Sequence, residues 1–206
     1  MKTQQFKALF LDIGGVFLSN GWDHHMREKA AQVFHLDYEE MNRRHALTFD
    51  TYECGKISLD TYLDRAVFYV PRNFSKEEFK TFMFTQSTEK PYMIEMIRTI
   101  KNRFGLKTVV ISNEGRELME DRINRFKMKE FIDFFICSAF VKLRKPDEEI
   151  YRLAIDMAQV KPSEAIYIDD REMLVKIGKD LGFESIQHID YEETYQKLMD
   201  LFRERL

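Results

Sequence analysis

An apolar run that stops at a carboxylate and a glycine pair constrains this chain more than any other feature. Phe6, Ala8, Leu9, Phe10 and Leu11 lead into Asp12 and, after Ile13, into Gly14 and Gly15. Continuous apolar character over so few residues fits a strand buried on both faces of a parallel sheet, and the glycines fit a loop opening at its carboxyl end. The pattern returns from Leu106 in LKTVVIS, which stops at Ser112, and from Ala165 in AIYIDD, which stops at Asp169 and Asp170. Open α/β sheets bind ligands at strand carboxyl ends, so these polar termini are candidate site residues.

Between the runs the apolar residues recur every three to four positions. Met93, Ile97, Ile100 and Phe104 form one helical stripe, Met119, Ile123 and Phe126 a second, and Ile150, Ala154 and Met157 a third. They alternate with strands expected near Lys107, Phe134, Ala165 and Glu184, which is βαβ order. Right-handed crossovers then bring the strand ends to one edge of the sheet. The fold class is α/β: a Rossmann-like parallel sheet core flanked by helices, with an inserted small helical domain.

The insertion lies between the first two strands. Met26, Ala30, Val33 and Phe34 make a helical stripe, another helix runs from Ser58 through Leu59, Tyr62, Leu63 and Ala66, and Asp37 with Glu40 and Ser75 with Glu78 have the spacing of capping boxes. Residues 1–17 and 89–206 are assigned to the core and residues 18–88 to the insertion. Its aromatics, among them Trp22, Phe49, Tyr52, Phe68, Tyr69, Phe79, Phe82 and Phe84, supply a small helical bundle with the area it must bury.

Each candidate has a structural role to weigh beside a chemical one. Asp12 fits a strand terminator as well as a nucleophile. Ser112 or Asn113 fits the cap of the next helix as well as a cradle for an anion at a helix start. Lys145 precedes a helix expected to start at Pro146 with Asp147, Glu148 and Glu149 in its first turn. A cation is disfavoured at the positive end of the helix dipole, and a solvated lysine is the plain alternative. Asp169 and Asp170 repel one another if both turn into one crevice, and a divalent cation with oxygen ligands relieves that repulsion.

In order and spacing, Asp12 in DIGGV, Ser112 in VVISN, Lys145 in KPDEEIY and the acidic pair in YIDDREM resemble the four motifs of the haloacid dehalogenase superfamily, over nearly the whole chain. The resemblance implies a helical cap over the site, at residues 18–88, and a Mg²⁺-dependent phosphatase acting on a small-molecule phosphate ester through an aspartyl-phosphate. Asp12 is then the nucleophile, Ser112 and Asn113 with nearby N–H groups hold phosphate oxygens, and Lys145 bridges nucleophile and phosphate. Mg²⁺ lies between Asp12, the Gly14 carbonyl and Asp170, with Asp169 as a ligand or a support. A carboxylate can attack a phosphoryl group provided that a metal and a lysine neutralise the charge.

One departure stands out. Phosphatases of this superfamily usually carry Asp-x-Asp, and the second acid shuttles the proton, whereas here that position is Gly14. General acid–base assistance is worth about 10² to 10⁴ in rate. Asp23, in SNGWDHHMR, is the expected substitute, although it also fits a helix cap. Esters with good leaving groups, such as anomeric sugar phosphates, need less protonation. The alternatives kept open are a dehalogenase-type hydrolase, which needs no metal, and a ligand-binding member of the superfamily with weak turnover. A response-regulator receiver also pairs a phosphorylated Asp with acids and a lysine, but there the acidic pair comes early and the lysine last.

With 32 basic and 35 acidic residues in 206, the net charge of -3 gives no basis for nucleic-acid or anionic-membrane binding. The opening MKTQQ leaves no room for a signal peptide before the first strand, and no apolar stretch has the length of a membrane span. Two cysteines, Cys54 and Cys137, far apart in sequence, suit a reducing compartment, so a cytoplasmic location is expected. No histidine falls in a zinc motif. The sequence leaves the oligomeric state open.

Overall fold

The computed structural model describes residues 5–204, so the first four residues of the MKTQQ segment lie outside it. Five parallel strands, β1 (Ala8–Leu11), β2 (Lys107–Ser112), β3 (Phe134–Cys137), β4 (Ala165–Asp169) and β5 (Glu184–Gln187), form one sheet in the order β3-β2-β1-β4-β5. All of the strands expected from sequence are present. Leu11 lies in register with Val110 on one side and Ile168 on the other, and the Asp12 N–H continues the ladder by donating to the Ile168 carbonyl at 2.9 Å. The strand order reverses between β1 and β4, which is where a crevice opens in a doubly wound sheet.

Side chains alternate across the sheet with the strand period of two. Leu9, Leu11, Val110, Ile166 and Ile168 face α5 (Pro91–Phe104), α6 (Arg116–Arg125) and α10 (Tyr191–Glu204) through Ile97, Met119 and Leu198. Ala8, Phe10, Val109, Ile111 and Tyr167 face the other way, against Ile150, Tyr151 and Ala154 of α8 (Glu148–Ala158). Burial on both faces explains why these strands read as unbroken apolar runs. Each fully buried aliphatic or aromatic side chain contributes about 1.5–3 kcal/mol. Between these layers the chain also forms α7 (Ser138–Val141), and α9 (Glu172–Asp180) follows β4.

The helix of the third motif begins later than its proline suggested. The first helical residue of α8 is Glu148, and Asp147 caps it by accepting from the Glu149 N–H at 3.0 Å. Pro146 lies outside the helix, after a cis peptide bond, so Lys145 stands in a loop and not against the helix start.

Between β1 and α5 lie four helices, α1 (His24–Val33), α2 (Tyr38–Glu53), α3 (Leu59–Ala66) and α4 (Lys76–Thr85). Asp23, Asp37, Ser58 and Ser75 cap their N-termini, and Ser75 with Glu78 forms a complete capping box. The helices share an apolar cluster of their own around Trp22, Tyr52, Tyr62, Leu63 and Phe79, with Phe49, Phe68, Phe82 and Phe84 packed against it. Tyr69 stands apart, its ring covered by the Arg44 guanidinium at 3.7 Å. Leu18 and Glu89 form an antiparallel bridge, and the Ser19 N–H donates to the Thr88 carbonyl at 2.8 Å. The chain therefore leaves and rejoins the sheet layer through two neighbouring segments.

Candidate active site

Three strand ends, one loop and the helical insertion surround a cavity of about 300 Å³. Asp12, Gly14, Ser112, Asn113, Lys145 and Asp23 all line it. Residues separated by 133 positions in sequence meet here: the Lys145 ammonium lies 2.8 Å from Asp12 Oδ1, and it also lies 2.7 Å from Asp169 Oδ2. Lys145 is 4 % exposed, which excludes the solvated surface lysine. Burial alone would lower its pKa, but the two carboxylates outweigh burial and hold it above the usual lysine value.

Asp169 supports the site from beneath. Its side chain is wholly buried, Oδ2 accepts from Lys145 and from the Tyr167 hydroxyl, and Oδ1 accepts from the Arg171 N–H at 2.9 Å. Tyr167 sits two residues earlier on the same strand, on the same face, so the strand itself delivers this partner. These bonds overcome burial and hold the Asp169 carboxyl below the usual range.

Asp170 has the opposite character. Its Oδ1 is buried and has no hydrogen-bond partner, and burial, with Asp12 and Asp169 close by, pushes its carboxyl up to about 6. Asp12, Asp169 and Asp170 each place one oxygen within 4.8 Å of the others. Asp12 is also raised, by burial first, against the pull of Lys145. Lys145 touches Asp12 and Asp169, while Arg171 and Lys90 act on Asp170 without bonding it, and an oxygen-liganded divalent cation fits the orphaned oxygen. Gly15, at φ 77°, brings the backbone so close that a Cβ there would collide with the Asp170 carboxylate.

Ser112 ends β2 with its side chain buried, and no hydrogen bond ties its hydroxyl among the described residues. It does not cap α6, whose N-cap is Gly115. The carboxamide of Asn113 donates one of its two N–H groups to the Lys145 carbonyl and accepts from the Lys145 N–H, both at 2.8 Å, which leaves the second N–H uncommitted. Its side chain thus fixes the Lys145 loop. Asp23 caps α1 by accepting the Met26 N–H at 3.0 Å, and it also lines the cavity.

The sequence reading missed other cavity residues. Asn20 places its Oδ1 2.6 Å from the point where a Cβ on Gly14 would lie. A buried ion pair joins Arg122 Nη1 to Glu114 at 2.5 Å, and the same arginine donates to Ser87 Oγ at 2.9 Å, tying α6 to the segment that returns from the insertion. Glu53, at the end of α2, pairs with Arg144 at 2.6 Å, yet burial pushes its carboxyl up to about 7. Arg27, on α1, is buried with no carboxylate within ion-pair distance. No short motif carries these residues, because each depends on how the insertion lies over the sheet.

A parallel sheet with a carboxylate at its switch point, a buried lysine and a converging acidic pair defines a class of hydrolase. A family model of the haloacid dehalogenase-like hydrolases matches residues 6–182, and the chain belongs to that family. Among curated relatives, it is similar to the bifunctional epoxide hydrolase 2 of Sus scrofa, 28 % identical over 134 residues, which span 63 % of this chain and 24 % of that protein. It is also similar to the phosphorylated carbohydrates phosphatase of Thermotoga maritima, 29 % identical over 117 residues, covering 55 % of this chain and 54 % of the relative. The chain thus spans about a quarter to a half of the length of these relatives. Among solved structures, a HAD family enzyme of Bacteroides thetaiotaomicron in complex with magnesium and inorganic phosphate superposes with a TM-score of 0.77 at 18 % identity, over 92 % of this chain and 98 % of the other. An L-2-haloacid dehalogenase superposes with a TM-score of 0.67 at 15 % identity, over 97 % and 99 % of the two chains.

Proposed function

We propose that this hydrolase is a Mg²⁺-dependent phosphatase of small phosphorylated metabolites, sugar phosphates among them, that works through an aspartyl-phosphate on Asp12. The observation that carries this reading is the orphaned Oδ1 of Asp170 beside Asp12 and Asp169. Displacement of a halide from carbon needs no metal and leaves Asp170 without a purpose. Asp12, Asp170 and the Gly14 carbonyl are the proposed metal ligands, and Asp169 keeps Lys145 and Asp170 in place. When bound, Mg²⁺ supplies positive charge that lets two anions, carboxylate and phosphate, approach one another.

The chain's own residues do the rest. Lys145, held charged between two carboxylates, neutralises the nucleophile and a phosphoryl oxygen as the Asp12–phosphorus bond forms. The unspent Ser112 hydroxyl donates to a second phosphoryl oxygen. The leaving group departs with the electrons of its bond to phosphorus and takes a proton from Asp23, whose Oδ2 is not committed to the helix cap. Water then attacks phosphorus, Asp23 recovers the proton, and Asp12 is freed with inorganic phosphate. Residues 18–88 act as the cap that closes over the cavity and excludes bulk water. The chain carries out this chemistry in the cytoplasm in our reading, and among the described residues no helix is long and apolar enough to cross a membrane.

The test is release of phosphate against release of chloride, each with and without Mg²⁺, with Asp12→Asn as the control. Mg²⁺-dependent phosphate release that disappears in Asp12→Asn is expected. Metal-independent chloride release would give the dehalogenase reading instead, and turnover by Asp12→Asn would refute the nucleophile.

A further inference from the structure

Arg27 is buried at 9 % exposure, lines the cavity from α1, and has only neutral acceptors. Its Nε and Nη2 donate to the Asn42 carboxamide oxygen at 3.1 and 3.0 Å, and Nη1 donates to the Trp22 carbonyl at 2.9 Å. The nearby acids, Asp23 and Glu28, attract it only from beyond ion-pair distance. A guanidinium has five N–H donors, so two remain unspent. Taking such a charge out of water without a counter-ion costs several kcal/mol, and buried charges are as a rule paired.

The other buried or half-buried cations on the same wall are already matched. Lys145 sits between Asp12 and Asp169, Arg122 on Glu114, and Arg144 between Glu53 and Asp50 at 2.6 and 2.7 Å. Arg171, also on the wall, is exposed and bears its charge in water. Among the described residues lining the cavity, Arg27 is therefore the buried cation with no carboxylate at ion-pair distance. It belongs to the insertion, on the side away from the sheet that supplies Asp12, so a ligand whose phosphoryl group meets Asp12 turns its remaining atoms toward α1.

We propose that Arg27 forms a second anion subsite, and that the substrate is a compact phosphate ester bearing a second negatively charged group, a carboxylate or another phosphate. The inference rests on the phosphatase reading for the first subsite only. The second anion accepts the two free N–H groups and supplies the missing counter-charge in a site that excludes water, where such a pair is strongest. A cavity of about 300 Å³ admits a molecule of this size and little more.

Matched esters test it. kcat/KM is measured with Mg²⁺ for 3-phosphoglycerate against glycerol 3-phosphate, and for fructose 1,6-bisphosphate against fructose 6-phosphate, so the two arms separate carboxylate from phosphate. The doubly anionic partner is expected to be favoured at least tenfold in one arm. Arg27→Gln collapses that ratio to near unity, whatever its absolute rate, and Arg27→Lys keeps part of it. Calorimetric titration of the same ligands into wild type and Arg27→Gln reads the preference without turnover. Failure of turnover with the binding preference intact would sink the phosphatase reading alone. No preference in either arm, or one that survives in folded Arg27→Gln, would overturn the subsite and leave Arg27 as a brace between Trp22 and Asn42.

Discussion

Asn20 Oδ1 lies 2.6 Å from the point where a side chain on Gly14 would begin. The volume that a second acid would enter is taken by a carboxamide arriving from the far end of the loop. Asn20 is neither acid nor base, so it fills the space without moving a proton. Installing the acid therefore displaces the Asn20 tip or calls for a second change that removes it. Gly14→Asp together with Asn20→Ala is expected to raise kcat on alkyl phosphates by about tenfold or more, within the range of general acid–base assistance. Gly14→Asp alone gains less, and steady-state kinetics on the two variants decides; an equal gain would show that Asn20 yields freely.

Besides Asp12, three carboxylates line the cavity and are candidates to replace the missing acid, Asp23, Glu53 and Glu114, of which Glu114 is paired with Arg122. Glu53 is engaged by Arg144, and Asp23 has an oxygen free. Asp23→Asn should slow alkyl phosphates by about 10² while barely affecting p-nitrophenyl phosphate, whose leaving group needs no proton. Glu53→Gln should not steepen the dependence on leaving-group pKa. The reverse pattern would transfer the role to Glu53.

Among the described residues, Lys145 is the cation that touches both Asp12 and Asp169, so its removal leaves both charges without an ion-pair partner. Lys145→Met should lower the free energy of unfolding by about 3–5 kcal/mol, the usual cost of breaking a buried pair. Denaturant titrations in EDTA and in Mg²⁺ measure it, and Mg²⁺ should restore part of the loss. A variant as stable as wild type in EDTA would mean that water already reaches these carboxylates.

Asp170→Asn exchanges a like charge for a neutral amide. In EDTA the variant should melt about 2–4 °C higher than wild type, equivalent to roughly 1 kcal/mol in a chain of this size. In millimolar Mg²⁺ the order should invert, because wild type alone keeps its ligand. Calorimetry in the two buffers reads both signs.

His45 carries the clearest pH signature outside the site. Burial, with Arg27 adding, pushes its imidazole down to about 3, and its Nδ1 meets the Tyr62 hydroxyl at 2.9 Å. A folded pKa below the unfolded value means that the unfolded chain binds the extra proton between pH about 6.5 and 3. Stability from this group is therefore complete above pH about 6.5 and falls as acid is added, with a slope of up to about 1.4 kcal/mol per pH unit. His45→Gln should flatten stability against pH across that window, and an unchanged slope would remove His45 as its cause.

The order of elements was written in the sequence because local rules suffice for it. Leu9 and Leu11 face one way and Ala8 and Phe10 the other, so burial on both faces shows as an unbroken apolar run. Ser58 and Ser75 mark helix starts because a hydroxyl satisfies an N–H three residues away. Asp12, Ser112, Lys145, Asp169 and Asp170 were visible as strand-end or loop residues in a recognisable order. Pro146 misled because proline fits a helix start, while the actual cap, Asp147, follows it.

Tertiary structure alone decided what each side chain is for. Lys145 is a buried bridge and not a solvated cation because β1 and β4 are neighbours, a pairing of segments about 150 residues apart. Asp169 and Asp170, adjacent in sequence, divide into a satisfied support and a carboxylate with an orphaned oxygen because one turns toward Tyr167 and Lys145 and the other does not. Asn20, Arg27 and Arg122 carry no motif at all, since their environments are made by the insertion folding back over the sheet. Periodicity and capping are local and survive in the chain as text, whereas charge compensation is a property of three-dimensional neighbours. The sequence by itself determined the strands, the helices and the chemical groups available; the packing determined which charges are matched and which are left for a ligand.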